Sequence, residues 1–282
     1  DEASNRLARA LIGVGVGPER AVGVALGRSW ELVLAWWAVL KAGGVYVPVD
    51  VSHPAERVAT VLDAVSAVCV LAAGGGEVPG AGGRTVLRVD ALDLRDWPAG
   101  PVTDADRAAP VSVDDAAYVI FTSGSTGTPK GVTITHTGLL GLAAAQRETF
   151  AVPTDGRVLM VAAPTFDASV FEILLAAGAG ATLVVAAPDC YAGEPLTGLI
   201  QEQRVDAAVI TPTVLATLGR TRLDGRLTTL ITAGEACPPE LVSTWAPGRS
   251  MFNAYGPSET TIWTTCTETL APDRLLGIGS PI

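Results

Sequence analysis

The sequence predicts an α/β protein of two doubly wound, mostly parallel sheets with helices on both faces. Two observations carry this. Short β-branched runs alternate with helix-patterned segments along most of the chain, as parallel strands joined by crossover helices require. A Pro- and Asp-containing stretch, PAGPVTDADRAAP at 98–110, interrupts the alternation and reads as a linker, dividing the chain into a first lobe over 1–110 and a second over 111–282.

The expected strands, in order, are AVGVAL at 21–26, VYVPV at 45–49, AVCVLA at 67–72, TVLRV at 85–89, AYVIFT at 117–122, RVLMVA at 157–162, ATLVVA at 181–186, AAVIT at 207–211, TTLIT at 228–232 and MFNAY at 251–255. One helix is well marked: Ser29 suits an N-cap, Leu32, Ala35, Trp36, Val39 and Leu40 share one face, and Gly43 with Gly44 can end it. Trp36 and Trp37 on that helix read as packing residues. AGGGEVPGAGG at 73–83 reads as a flexible surface loop, and no repeat of fixed period is visible.

Bulk composition narrows the function. Hydrophobic residues are 49% and charged residues 17% of 282, with mean hydropathy +0.38, which excludes a disordered chain. The excess of 29 acidic over 19 basic residues gives a net charge of -10, which argues against nucleic acid and anionic membrane as partners, so any phosphate binding must be local. Cys69, Cys190, Cys237 and Cys266 are scattered, and with His53 and His136 they show no metal-ligand spacing, as expected of reduced intracellular thiols. Neither a signal peptide nor a long apolar span is visible, so a cytoplasmic location is expected.

The most informative string is FTSGSTGTPKG at 121–131. A strand followed by glycines, hydroxyls and a lysine can turn amide N–H groups toward an anion and neutralise its charge, although a mobile connection has the same composition. It is not a Walker loop, because Pro129 stands where a glycine is required and Gly131, not Ser or Thr, follows Lys130.

The longer string AAYVIFTSGSTGTPKG resembles the phosphate-loop motif of adenylate-forming enzymes, the superfamily of acyl-CoA synthetases, luciferases and non-ribosomal peptide synthetase adenylation domains. LKAGGVYVPVD at 40–50, FDASVFE at 166–172, ITAGEAC at 231–237 and NAYGPSET at 253–260 resemble further motifs of the peptide synthetase branch, in its order. The resemblance implies the large N-terminal core of that fold. The reaction it implies has two steps: a carboxylate attacks the α-phosphorus of ATP to give aminoacyl-AMP and pyrophosphate, and the phosphopantetheine thiol of a peptidyl carrier protein then takes the aminoacyl group. It further implies that Thr122, Ser123, Gly124, Ser125, Thr126, Gly127 and Lys130 hold the departing phosphates. Glu259 would carry Mg²⁺, Thr260 would reach the α-phosphate, and Gly234, Glu235, Ala236, Asn253, Ala254, Tyr255 and Gly256 would bracket the nucleotide. Lys130, Glu259 and Thr260 are thus the candidate catalytic residues. His136 is read as structural, since an ionised carboxylate needs no base.

Asp167, lying among apolar residues, needs a cationic partner or several donors to offset its desolvation, although an N-cap role remains open from its position. The resemblance implies that it pairs with a substrate α-ammonium, and that the side-chain pocket comprises Asp167, Ala168, Phe171, Val209, Ile231, Ala233, Ala254, Ile262 and Trp263. Apart from Asp167 that lining is apolar, so a charged substrate side chain is disfavoured and a hydrophobic one, phenylalanine-like ahead of branched aliphatic, is expected. Ser258 replaces the threonine common in the family's motif, and Phe121 a common tyrosine. The family's later motifs, including a C-terminal lid domain with a catalytic lysine, have no match up to Ile282, so these residues alone are expected to turn over poorly. A small activator protein is a further partner the resemblance admits. An acyl- or aryl-CoA ligase, or a lid-less non-catalytic binding module, remain the alternatives.

Overall fold

Valine-rich runs in the first half of the computed structural model pair into one sheet: β1 (Ala21–Ala25), β2 (Val45–Pro48), β3 (Cys69–Ala72), β4 (Thr85–Arg88), β5 (Ala116–Thr122) and β6 (Lys130–Thr135). Residues 1–122, 129–272 and 277–282 are described. Among them the strand order is β4-β3-β1-β2-β5-β6, parallel throughout except for the antiparallel β5–β6 hairpin. Alternation sends successive side chains to opposite faces. Val45 and Val47 pack with Val58, Val61 and Leu62, the latter three from α3 (Ala55–Ala64), whereas Tyr46 meets Trp36 edge-on at 4.8 Å on the other face.

On that second face α2 (Trp30–Ala42) packs against β1 and β2, and α1 (Glu2–Gly13) packs against α2. The expected caps of α2 are present: the Ser29 hydroxyl accepts from the Leu32 amide at 3.3 Å, and Gly43 ends the helix at φ +81°. Trp36 is fully buried and Trp37 half-buried.

The 98–110 stretch is not a linker. Arg9 on α1 donates to the carbonyls of Pro98, Gly100 and Pro101 and to the Asp106 carboxylate, Asn5 donates to the Ala99 carbonyl at 2.7 Å, and Arg107 donates to the Lys41 carbonyl. The chain instead divides after Leu139, into the compact units Asp1–Leu139 and Leu140–Ile282. The boundary expected near 111 fails because β5 pairs with β2, Tyr118 beside Tyr46, and so completes the first sheet.

In the second unit the sheet contains β7 (Arg157–Met160), β8 (Thr182–Val185), β9 (Ala207–Ile210), β10 (Thr229–Thr232), β11 (Ser250–Tyr255), β12 (Thr265–Cys266) and β13 (Ser280–Pro281), in the order β13-β12-β11-β10-β9-β7-β8. β7 to β11 are parallel, and β12 and β13 add an antiparallel edge. The helices are α4 (His136–Phe150), which begins in the first unit, α5 (Ala168–Ala179), α6 (Gly193–Glu202), the short α7 (Pro212–Leu215) and α8 (Pro239–Trp245). Leu196 and Ile200 of α6 and Val242 and Trp245 of α8 pack on Ala208, Ile210, Leu230 and Met251 of the strands. The opposite face carries Val209, Ile231 and Phe252, and α5 lies against the neighbouring strands β7, β8 and β9. Among the described residues no helix is long and apolar enough to cross a membrane.

Arg9→Ala removes the guanidinium that holds three carbonyls and Asp106. Its expected effect is a loss of about 2 kcal/mol in urea denaturation, with faster amide hydrogen exchange over 98–106 and unchanged protection in β1 to β3.

Candidate functional site

In the first unit, β5 and β6 are antiparallel neighbours that place Thr122 directly opposite Lys130. A Walker loop opens a helix, and here a strand follows, which gives a structural reason for the mismatch in spacing. Lys130 is exposed at the start of β6. Ser123, Gly124, Ser125, Thr126 and Gly127 lie outside the described residues.

The remaining predicted residues belong to the second unit and gather at the carboxyl edge of its parallel strands, where ligands of open α/β sheets bind. Register sets Val209 beside Ile231 and Thr232 beside Asn253. Ala233, Gly234, Glu235 and Ala236 follow β10, and Gly234 sits at φ +84°. The Glu235 carboxylate accepts from the amide and hydroxyl of Thr213 at 3.0 and 2.6 Å, tying this turn to α7. Asn253 is nearly buried: its amide donates to the Gly277 carbonyl at 2.9 Å and its oxygen accepts from Thr232. Ala254 is buried, whereas the Tyr255 ring next to it is half-exposed. Gly256 admits no side chain, because a Cβ there would stand 2.4 Å from the Cα of Trp263.

Asp167 precedes α5 and makes no capping hydrogen bond, so a purely N-cap role does not describe it. Its Oδ2 accepts from the Ser258 hydroxyl at 2.5 Å. Burial pushes its carboxyl above the usual carboxylate range, opposed by that hydrogen bond and by nearby backbone amides, and Glu259 raises it further. The ion pairs formed by the described residues all lie elsewhere.

Glu259 and Thr260 are exposed in the turn after β11, and the Thr260 hydroxyl donates to the Pro257 carbonyl. Among the described residues no cluster of three or more His, Cys, Asp or Glu could hold a metal by itself. One exposed carboxylate, Glu259, fits Mg²⁺, which takes one or two carboxylates and leaves its other positions to phosphate and water.

Phe171, one turn along α5 from Asp167, stacks on Trp263 with centroids 5.6 Å apart and planes within 6°. Phe150 packs against both rings and against Phe252. The sequence reading missed Phe150, the contact of Ser258 with Asp167, and Glu172, whose carboxylate accepts from the amides of Val161 and Ala162 and so holds the end of β7 to α5. The helical spacing of Leu139, Leu142, Gln146 and Phe150 on α4 was the available signal for Phe150; the other two had none. His136 begins α4, and burial lowers its pKa.

Residues 1–282 match the model of the AMP-binding enzyme family along their whole length. The chain belongs to that family. Within it, the chain is 45% identical over 285 residues to novobiocin biosynthesis protein H of Streptomyces niveus, covering 99% of this chain and 47% of that protein. It is 43% identical over 286 residues to the phosphinothricin tripeptide synthetase PhsC of Streptomyces viridochromogenes, covering 100% of this chain and 26% of that one. The chain therefore spans about half or less of these relatives. Among solved structures it is similar to the non-ribosomal peptide synthetase FmoA3 in its α-methyl-L-serine-AMP-bound form, with TM-score 0.86, 31% identity, and coverage of 99% of this chain and 32% of that one. The N-terminal subdomain of Klebsiella oxytoca NpsA matches with TM-score 0.81 and 25% identity over 100% of this chain and 72% of that one. The expected fold, the N-terminal core of a peptide synthetase adenylation domain, is the fold observed.

Because the Asp167 pKa is raised in the folded state, ionised Asp167 opposes folding above its unfolded pKa of about 3.9. Asp167→Asn, which keeps an acceptor for Ser258, is expected to raise Tm at pH 7, with the gain disappearing below about pH 4. Thermal melts across that range check it.

Proposed function

We propose that the chain activates an uncharged, hydrophobic α-amino acid with ATP and passes it, as aminoacyl-AMP, to the phosphopantetheine thiol of a peptidyl carrier protein. Asp167 carries the reading: a mostly buried carboxylate with a hydroxyl partner and no cation among the described residues leaves an ionic position for an α-ammonium. A fatty or aryl acid lacks that group. Family membership supports the adenylate chemistry, and FmoA3, solved with α-methyl-L-serine-AMP, is a similar structure holding an aminoacyl adenylate.

In this reading the substrate carboxylate attacks the α-phosphorus, the bond to the pyrophosphate oxygen breaks, and the thiol later displaces AMP from the acyl carbon. Asp167 fixes the amino end, and Ser258 fixes Asp167. Glu259 would hold Mg²⁺, which supplies charge neutralisation across the phosphates. Lys130 and the residues from Thr122 to Gly127 would take the leaving pyrophosphate, and Thr260 would contact the α-phosphate. Tyr255, Asn253 and the turn Gly234–Ala236 would bracket the adenine. A C-terminal lid domain would complete the charge around the reacting atoms. Positioning and charge account for such a reaction without covalent help from the protein.

The test is ATP–pyrophosphate exchange with an amino-acid panel on the chain in its full-length context. The best substrate is expected to be an uncharged amino acid, with Asp, Glu, Lys and Arg at least about 10²-fold weaker than it. Asp167→Ala should cut kcat/KM for the amino acid by about 10²–10³, and Lys130→Ala should act through ATP and pyrophosphate instead. Unchanged amino-acid kinetics in Asp167→Ala would remove the ammonium role.

A further inference from the structure

Given the amino-acid-activating reading above, we infer that the side-chain pocket is closed one helical turn beneath Asp167 by the Phe171–Trp263 stack. It therefore selects an alanine-sized side chain, not a phenylalanine-like one.

Depth comes first. Asp167 and Phe171 stand at i and i+4 on one face of the α5 segment, about 6 Å apart along its axis. The chain after β11 runs down that same face: Ser258 meets Asp167, and five residues later Trp263 lies flat on Phe171. The floor is thus set a single turn below the group that would hold the ammonium.

That floor is sealed. A phenyl-sized side chain buries about 150–250 Å², and a cavity wide enough to take one also admits water, so its walls would be solvent-accessible. Phe171 and Trp263 are each 1% exposed, Ile231 0% and Ala254 3%. Only Ala168 and Ala233, at the rim with Asp167, are partly open. Phe150 packs against both rings, with centroids at 5.8 and 5.2 Å, and so backs the stack.

The backbone fixes Trp263 in this position by unfavourable means. Thr261 and Ile262, both β-branched, hold φ of +64° and +74°, a region such residues avoid. The indole Nε1 is buried with no hydrogen-bond partner among the described residues. Gly256, already too close to Trp263 for a side chain, keeps β11 tight against it.

The experiment is the exchange assay on the full-length protein with glycine, alanine, serine, valine, leucine, phenylalanine and tyrosine. The largest kcat/KM should fall among the first three, with phenylalanine at least about 10²-fold lower. A best substrate of valine size or larger overturns the inference and leaves the activation reading standing; exchange with no amino acid overturns both. Trp263→Ala, checked for folding by circular dichroism, should raise kcat/KM for leucine or phenylalanine about tenfold or more and lower it for alanine. A folded variant with the wild-type order of substrates overturns the inference, and if the variant does not fold, the wild-type panel decides alone.

Discussion

The hydrogen bond from Ser258 to Asp167 spans 91 residues and joins the two segments that carry the candidate site of the second unit: the start of α5 and the turn after β11. A carboxylate at that depth is costly without donors, and the hydroxyl, with nearby backbone amides, lowers the cost. With that contact made, the downstream chain has little freedom. It must pass over α5, and its next large side chain, Trp263, lands on Phe171.

Several unfavourable terms collect along this strip. A carboxyl that burial pushes above its usual range opposes folding, and two β-branched residues in the left-handed region and an unsatisfied indole N–H each cost on the order of 1–3 kcal/mol. They sit on a well-packed base. On one sheet face α6 and α8 bury leucine, isoleucine and tryptophan against β9 to β11, and on the other the rings of Phe150, Phe171, Phe252 and Trp263 interlock. Strain concentrated at one strip above a rigid sheet is the usual arrangement of a binding edge, where the geometry of a few groups matters more than local stability.

The strands were legible because both faces of a parallel sheet are covered, so each strand is a continuous apolar run; all ten expected runs are strands. β6 was not, since KGVTIT lies at an edge with half its residues exposed, and β12 and β13 are too short to show any period. The 98–110 stretch misled because composition reports a segment's own preference and not what binds its carbonyls; here Arg6 and Arg9, at i and i+3 on α1, capture them over 94–101. At the site, Asp167 was visible through a family resemblance and its apolar surroundings. The partners that give it meaning, Ser258 and the Phe171–Trp263 stack, arise from tertiary contacts between distant segments, which no local pattern encodes.

The hairpin that carries Lys130 has a consequence for how the proposed phosphate loop would work. A strand–loop–helix cradle gains its attraction for phosphate partly from the partial positive charge at a helix N-terminus, in addition to its amides and lysine. Among the described residues β5 is followed by the antiparallel strand β6 and not by a helix. Charge neutralisation on this side would rest on Lys130, with hydroxyls and backbone amides adding donors but no net charge, in a chain whose overall charge is -10. A single exposed lysine on a strand holds an anion less tightly than a lysine combined with a helix terminus, so the pyrophosphate of the proposed reaction would be released easily from it.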